Sequence, residues 1–311
     1  MPAPKRNLAR ILTLSLGGLW LLDGILQLQP AMFTGAFVEQ VLAPTLTSQP
    51  HWMVAVINFG INVWNLNPVL FNLAAAVVQL FIGFMILLPA LKRQRDNKNN
   101  EHIAQRRLDL QRFALWLSVF WALLIWIFGE GLGILFTGSA TFYAGAPGSA
   151  LLYAILALFL LYDANERRDA TATAAASDKS TERPLKKLPV VAGIIFLAGA
   201  ALQLTPMFWQ PTMLSMLAMV PSVSGWLGQF GAQGTMLGNF LAIDALAALG
   251  IFLILMPRNR TVAWLACAFL VAVWWIGQNF GGIFTFPFGT ATDPNSALVM
   301  MLFLVPIILN P

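Results

Sequence analysis

The sequence predicts an all-α membrane protein with eight transmembrane helices, arranged as two four-helix repeats inserted in the same direction. Composition is the first indication, because 58% of the 311 residues are hydrophobic and only 10% are charged, whereas soluble domains carry about 25% charged residues. Secondly, the apolar residues form blocks close to the roughly 20 residues needed to cross a bilayer. Thirdly, short motifs of the first half recur in the same order in the second half.

Eight apolar blocks are the predicted spans. They cover residues 9–28, 69–91, 113–131, 149–162, 188–205, 236–256, 261–280 and 296–310. The fourth and eighth are short, so we expect them to begin inside the preceding loops. Two aromatic and apolar segments, 30–67 and 206–235, follow the first and fifth spans. Their Pro and Gly residues predict short helices that lie in the membrane interface or cap the bundle.

The basic residues predict the topology. All 18 Lys and Arg residues precede the first span or lie between spans two and three, four and five, or six and seven. In an eight-span protein these segments share one side, which the positive-inside rule assigns to the cytoplasm together with both termini. The basic pI of 9.7 therefore reflects topology and does not indicate nucleic-acid binding.

The internal repeat is visible as four pairs of matching motifs. "ILQLQPAMF" (25–33) matches "ALQLTPMFW" (201–209), "FMILLPALKR" (84–93) matches "FLILMPRNR" (252–260), "EGLGILFT" (130–137) matches "QNFGGIFT" (278–285), and "PGSALL" (147–152) matches "PNSALV" (294–299). We therefore divide the chain into a first repeat, 1–162, a cytoplasmic linker, 163–188, and a second repeat, 189–311. Because each repeat has an even number of spans, both insert in the same orientation.

Several polar residues interrupt the apolar spans. Counting at about 1.5 Å per residue from the nearest basic residues places Asp23, Gln79 and Asp244 roughly 20 Å from the cytoplasmic boundary. No Lys or Arg is available there to pair with the acids. Their remaining partners are amides, hydroxyls, water, a bound cation or substrate, or a proton. The predicted ligand-binding residues of a polar cavity open to the far side are Asp23, Gln27, Gln79, Glu130, Gln203, Asp244, Gln278 and Asn279. The alternative is that these groups form interhelical hydrogen bonds that fix the bundle.

Glu130 is the most informative of these residues. It lies between Gly129 and Gly131 at the end of the third span, where glycine allows the backbone to unwind. In the second half, Gln278 and Asn279 replace the acid. The shared pattern therefore predicts a structural turn, and the single carboxylate predicts one asymmetric site. The alternative is that Glu130 only faces interfacial water.

Other kinds of site find little support. The two histidines, His51 and His102, fall on opposite sides of the membrane and cannot ligate one haem together. No nucleotide-binding or hydrolase motif is present. Three methionines in the outer segment, Met213, Met216 and Met219, suit Cu(I) but are also ordinary packing residues. We assign no metal, cofactor or catalytic residue, and whether the protein is an enzyme stays open.

Two stretches resemble the DoxX-like family of bacterial membrane proteins, here as a tandem duplication of its four-helix unit. They are "GGLWLLDGILQLQPAMF" (17–33) and "AGIIFLAGAALQLTPMF" (192–208). The family's second helix often carries a carboxylate, whereas Gln79 and "FIGFMILLP" (81–89) stand there in this chain. The resemblance implies a multi-pass protein of the cell inner membrane that is associated with redox chemistry and binds a quinone or another lipophilic small molecule.

Three functions therefore compete. The first is binding of a lipophilic or small polar molecule in an outward-facing cavity, as in a redox-associated, quinone-linked subunit. The second is proton- or cation-coupled transport of a small solute. The third is a structural role in a larger membrane complex. The expected partners are membrane lipids, a small molecule and other membrane subunits, but not nucleic acid.

Overall fold

The computed structural model of the protein describes residues 8–92, 101–173 and 184–309, with side chains described over 8–91, 106–166 and 184–309. All regular secondary structure within these ranges is helical. The α-helices are α1 (Leu8–Leu26), α2 (His51–Leu66), α3 (Pro68–Lys92), α4 (Glu101–Leu124), α5 (Ser149–Thr173), α6 (Leu188–Leu202), α7 (Pro221–Leu227), α8 (Ala232–Leu255), α9 (Arg260–Ala272) and α10 (Ser296–Leu309). Much of the predicted linker 163–188 lies outside the described residues. Within it, α5 continues to Thr173, beyond the predicted end of the first repeat at 162.

Seven helical segments are long and apolar enough to cross a membrane. They are Leu8–Leu26, Pro68–Leu91, Arg106–Gly129, Ser149–Glu166, Leu185–Leu202, Ala232–Leu255 and Arg260–Gly277. Each overlaps one of the predicted spans. The eighth predicted span corresponds to α10, which is apolar but has only 14 residues. At about 1.5 Å per residue it is shorter than a hydrocarbon core about 30 Å thick.

The segment after α1 folds over a small core of its own. Its 3-10 turns at Pro30–Phe33 and Ala43–Leu46 flank a wide turn at Val38–Leu42, and α2 follows. This core consists of Met32, Phe37, Leu42, Met53, Ile57 and Ile61. The segment after α6 contains 3-10 turns at Pro206–Trp209 and Met213–Leu217 and the short helix α7. The short helices expected in these two segments are therefore present.

The main core is formed by pairs of helices. In the first half α1 packs along α3 and α4 along α5, and in the second half α6 packs along α8 and α9 along α10. The halves meet where α10 contacts α1 and α5. Inside the first half, the Trp20 indole donates a hydrogen bond of 2.8 Å to the Ser118 hydroxyl and packs edge-on against Tyr153.

Glycines allow the closest helix contacts. A Cβ on Gly83 of α3 would lie 2.9 Å from the Gly17 carbonyl oxygen of α1. In the second half, a Cβ on Gly250 of α8 would lie 2.8 Å from the Gly193 carbonyl oxygen of α6. Small residues at such positions let helix backbones approach one another, which is the usual way in which helices associate within a bilayer.

These contacts also give the register between α3 and α8. The Asn72 amide donates a hydrogen bond to the Gln27 backbone carbonyl at 2.8 Å, and the Asn239 amide donates one to the Gln203 carbonyl at 3.1 Å. Asn72 and Asn239 are 167 residues apart, as are Gly83 and Gly250. The motif match of Phe84 with Phe252 is therefore one residue out of register with the packing. Pro89 accordingly lies inside α3, whereas Pro257 follows the end of α8.

The contact between Gly193 and Gly250 makes alanine costly at position 250. We expect Gly250→Ala to lower the free energy of unfolding by about 1–3 kcal/mol, because the new methyl group has to push the helices apart. Gly18→Ala is the matched control, since a Cβ there meets nothing within 4 Å and alanine favours the helix by up to about 1 kcal/mol. Denaturation in mixed detergent micelles measures both changes. Equal effects of the two substitutions would contradict the close contact.

Candidate functional site

Two matching wide turns end the helices α4 and α9. Residues Ile125–Gly129 and Val273–Gly277 each form one π-helical turn. The amide that follows each turn, at Glu130 and Gln278, donates a 2.9 Å hydrogen bond to the first carbonyl of its turn. Such turns are often found at functional sites.

Tryptophan side chains anchor both turns to the loops that follow. The Trp126 indole donates a 2.8 Å hydrogen bond to the Pro147 carbonyl, and the Trp274 indole donates one of 2.6 Å to the Pro294 carbonyl. Each loop is thereby held beside the start of the next helix, α5 or α10.

A left-handed stretch follows each wide turn. Four consecutive residues have positive φ in each copy: Gly131, Leu132, Gly133 and Ile134 in the first, and Asn279, Phe280, Gly281 and Gly282 in the second. A Cβ on Gly133 would overlap the Pro147 carbonyl, and one on Gly281 would meet the backbone before Ser296. Glycine is therefore required at both positions for steric reasons as well as conformational ones.

The side chains of Glu130 and Gln278 occupy equivalent places. Glu130 Oε1 accepts hydrogen bonds from the Ser149 hydroxyl at 2.7 Å and from the Ala150 amide at 3.0 Å. Gln278 Oε1 accepts from the Ala297 amide at 3.0 Å, and its Nε2 donates to the Ser296 hydroxyl at 3.0 Å. Each side chain therefore satisfies a free amide in the first turn of the next helix.

The two copies differ in what the second polar atom contacts. Gln278 Nε2 also reaches the Phe142 carbonyl at 3.4 Å, so the whole amide is satisfied, and the residue is 1% exposed. Glu130 is partly exposed, yet its Oε2 is buried without a hydrogen-bond partner among the described residues. This oxygen lies directly over the Cα of Gly148, where a Cβ would overlap it.

Glu130 and Gln278 both line a cavity of about 720 Å³ that opens to the surface. Its walls come from residues 129–149, from residues 278–295, and from the outer segments at 40–45 and 219. All of these belong to connections on the predicted far side. Of the eight predicted site residues, the cavity brings together Glu130, Gln278 and Asn279.

Hydrogen bonds between the two halves hold the cavity walls. The Gln29 amide donates to the Ala291 carbonyl at 2.8 Å, and the Thr290 hydroxyl donates to Gln40 Oε1 at 3.1 Å. Both join the segment after α1 to the loop before α10. The cavity therefore depends on contacts between the two halves of the chain.

The cavity is acidic. Asp293 is its second carboxylate and accepts hydrogen bonds from the Thr292 hydroxyl at 2.9 Å and the Asn295 amide at 2.7 Å. No Lys, Arg or His is among the lining residues. Glu130 lies just beyond the candidate span that ends at Gly129. Burial, followed by the negative charge of Asp293, raises the pKa of Glu130 to about 7. In the described part of the chain, no three His, Cys, Asp or Glu side chains are grouped so as to hold a metal ion.

Four other predicted residues are buried in the helix packing and do not line the cavity. Asp23 is 3% exposed and accepts a 3.2 Å hydrogen bond from the Tyr153 hydroxyl. It is still close enough to interact electrostatically with Asp293 and Glu130. Gln27 and Gln79 each bury an oxygen without a partner, and Gln203 Nε2 donates to Asn239 Oδ1 at 2.9 Å. Much of the predicted polar set therefore forms the interhelical contacts of the alternative interpretation.

Asp244 differs from the prediction most clearly. Its side chain is exposed on the outer face of α8 and is not among the cavity residues. Residues Ala242 and Leu246 turn the opposite face of the helix inward. Depth along a helix was predictable from the sequence, but the face was not, because apolar residues surround Asp244 on every side of α8.

The sequence analysis missed Asp293, Ser149 and Gly148 as cavity residues. A signal for Ser149 was present, since the serine of "PGSALL" recurs in "PNSALV" at a fixed distance from Glu130 or Gln278. Asp293 had no such signal, because Ala146 takes its place before the first of the two prolines. Each half thus contributes one acid that the other half lacks.

Comparisons with known proteins return no match, since no family model matches the sequence and no curated protein or solved structure is found to be similar to it. The DoxX-like resemblance therefore stays a prediction. The functional assignment rests on the geometry of the cavity.

The equivalence of Glu130 and Gln278 makes reciprocal substitutions informative. We expect Glu130→Gln to preserve stability, because glutamine already makes the same contacts in the second half. Gln278→Glu should lower the free energy of unfolding by about 2–3 kcal/mol, because it removes the donor to Phe142 and buries a charge. Thermal unfolding of the purified protein in detergent measures both. A symmetrical loss in the two variants would contradict the equivalence.

The raised pKa of Glu130 predicts a pH dependence of stability. The folded protein binds this proton more tightly than the unfolded chain does, so the contribution is complete below pH 4.5 and is lost as the pH rises towards about 7. We expect the melting temperature of the wild type, measured relative to Glu130→Gln, to fall across that interval. A difference between the two proteins that does not change with pH would contradict burial of the carboxylate.

Proposed function

We propose that the protein binds a small organic cation, such as a protonated or quaternary amine, in an outward-facing cavity of a multi-pass membrane protein. The observation that carries the proposal is the buried, unpartnered Oε2 of Glu130 beside a second cavity carboxylate, Asp293. A bound cation would supply the charge that none of the lining residues supplies. A buried carboxylate needs such a partner, a hydrogen-bond donor or a proton.

We infer that the cavity is formed between two four-helix units related by tandem duplication. The matched pairs Gly17/Gly83 and Gly193/Gly250, and Glu130/Ser149 and Gln278/Ser296, support this inference. In this arrangement α10 is the eighth span. Because the Lys and Arg residues cluster on the other side, the positive-inside rule puts the cavity outside the cytoplasm.

The character of the cavity walls favours a cation over a quinone. Sites for lipophilic molecules are lined mostly by apolar and aromatic side chains. Here most lining residues are glycine, threonine, asparagine, glutamine or acid, and none is aromatic. The redox-associated role implied by the DoxX-like resemblance would require a different site.

Proton-coupled transport of the cation is the second candidate function. Its support is the pair formed by Asp23 and Tyr153, which is buried in the spans α1 and α5 and interacts electrostatically with the cavity acids. Intramembrane acids of this kind often form proton relays. Asp23 would then exchange a proton while Glu130 and Asp293 hold the solute.

Equilibrium dialysis with radiolabelled methylammonium tests cation binding by the purified protein. We expect saturable binding that tetramethylammonium displaces and acetate does not. Glu130→Gln should weaken it at least tenfold, about 1.4 kcal/mol, and binding by the wild type should strengthen as the pH rises through about 7 because the carboxylate loses its proton. Asp244→Asn is the matched control, since it removes an acid outside the cavity. Equal binding by Glu130→Gln and the wild type would refute the site.

Uptake of the same methylammonium into proteoliposomes distinguishes binding from transport. With an imposed proton gradient, we expect Asp23→Asn to abolish gradient-driven uptake while dialysis still detects binding. Asp244→Asn again serves as the control and should transport normally. Saturable binding without uptake by the wild type would leave only the binding function.

A further inference from the structure

The outer face of α8 carries a regular stripe of exposed side chains. It consists of Leu237, Leu241, Asp244, Ala248, Ile251 and Leu255. The spacing alternates between four and three residues, which places all six on one side of the helix and is the spacing by which two helices pack along each other. Every member except Asp244 is apolar.

Asp244 lies at the middle of the span. It is the thirteenth of the 24 residues of α8, so it is about 18 Å from either end of the helix. A lipid-facing carboxylate at that depth is strongly disfavoured, and acids within spans normally face a bundle interior or pair with a base. Asp244 is exposed instead.

The chain itself offers no partner for this carboxylate. In residues 8–91, 106–166 and 184–309, no side chain forms a hydrogen bond or ion pair with Asp244. The Lys and Arg residues that fall within candidate spans all lie in the first seven residues of a span. A second copy of the chain would therefore bring another carboxylate to this depth and no base.

The equivalent face of α3 shows what lipid alone would select. With the spacing of 167 residues, Asp244 corresponds to Val77, which is 56% exposed, and Ala248 corresponds to Phe81, which is 46% exposed. The α3 face is thus wholly apolar and bulky at these two places. On α8 the same places hold an acid and, one turn further, a small residue that allows close approach.

We propose that this α8 face binds a transmembrane helix of a different membrane protein, and that this helix carries a Lys or Arg at the depth of Asp244. Charge complementarity identifies the occupant, since only a base supplied from outside the chain satisfies the acid. Ala248 leaves room for the backbone of the incoming helix. The surface is separate from the cavity, so it does not depend on the cation-binding proposal.

A synthetic transmembrane peptide with a single central lysine in a leucine and alanine host tests this surface. The full-length protein, fluorescently labelled at an N-terminal tag, and the acceptor-labelled peptide are reconstituted together in phosphatidylcholine vesicles, and energy transfer reports binding. We expect the lysine peptide to bind at least tenfold more tightly than the same peptide with leucine at the centre. Asp244→Val should reduce lysine-peptide binding to the level of the leucine peptide.

Two controls separate a defined surface from a general attraction between charges. Asp244→Asn keeps the size of the side chain and should also lose the preference for lysine. The double variant Val77→Asp/Asp244→Val moves the acid to the equivalent face of α3, where Phe81 blocks close approach, and should not regain binding.

Three results would overturn the proposal. They are equal binding of the two peptides by the wild type, full recovery of binding in the double variant, and self-association of the wild type that Asp244→Val abolishes. The last is measured by energy transfer between two differently labelled copies and would make a second copy the occupant. Should the double variant fail to fold, the comparison of Asp244→Val with Asp244→Asn still decides the matter.

Discussion

The side chain that follows each wide turn ties one transmembrane helix to the start of the next. Glu130 joins the end of α4 to the first turn of α5, and Gln278 does the same for α9 and α10. Both of these connections leave regular helical structure, which backbone at such a place tolerates only if protein or water satisfies its polar groups. The carboxyl or amide oxygen, the tryptophan indole and the left-handed glycines supply that satisfaction together. The position of the cavity walls follows from this one tie.

The same tie explains how a functional group is built from a structural one. Glutamine fills the place completely, since both polar atoms of Gln278 find partners. Glutamate fills it with one oxygen only and leaves the other exposed to the cavity without a donor. The acid therefore retains the fold of the turn and adds a charge that something else has to neutralise. Asp293 strengthens this requirement from the other half of the chain.

Two acids illustrate opposite solutions to the cost of charge in a membrane protein. Asp23 is enclosed between helices and receives a hydrogen bond from Tyr153. Asp244 faces outward from the middle of α8, in the company of apolar side chains. The first is satisfied within the chain, while the second requires a neighbour. Burial inside a bundle and burial between subunits thus answer the same physical demand at different levels of assembly.

Much of the architecture was determined by the sequence alone. Apolar length placed the helices within a few residues, because the hydrocarbon thickness dictates how many apolar residues a span needs. Motif recurrence identified Glu130 and Gln278 as counterparts before their contacts were known. Composition could not show that α10 is only 14 residues long, since loop and helix there are equally apolar.

Only the tertiary structure decided which way each polar side chain faces. α8 is apolar around its whole circumference apart from a few residues, so its sequence carries no periodic signal to orient Asp244. Asp293 enters the cavity because the loop before α10 is held against the segment after α1 by Gln29 and Gln40. Such contacts join residues about 250 or more positions apart, and local sequence patterns do not encode them.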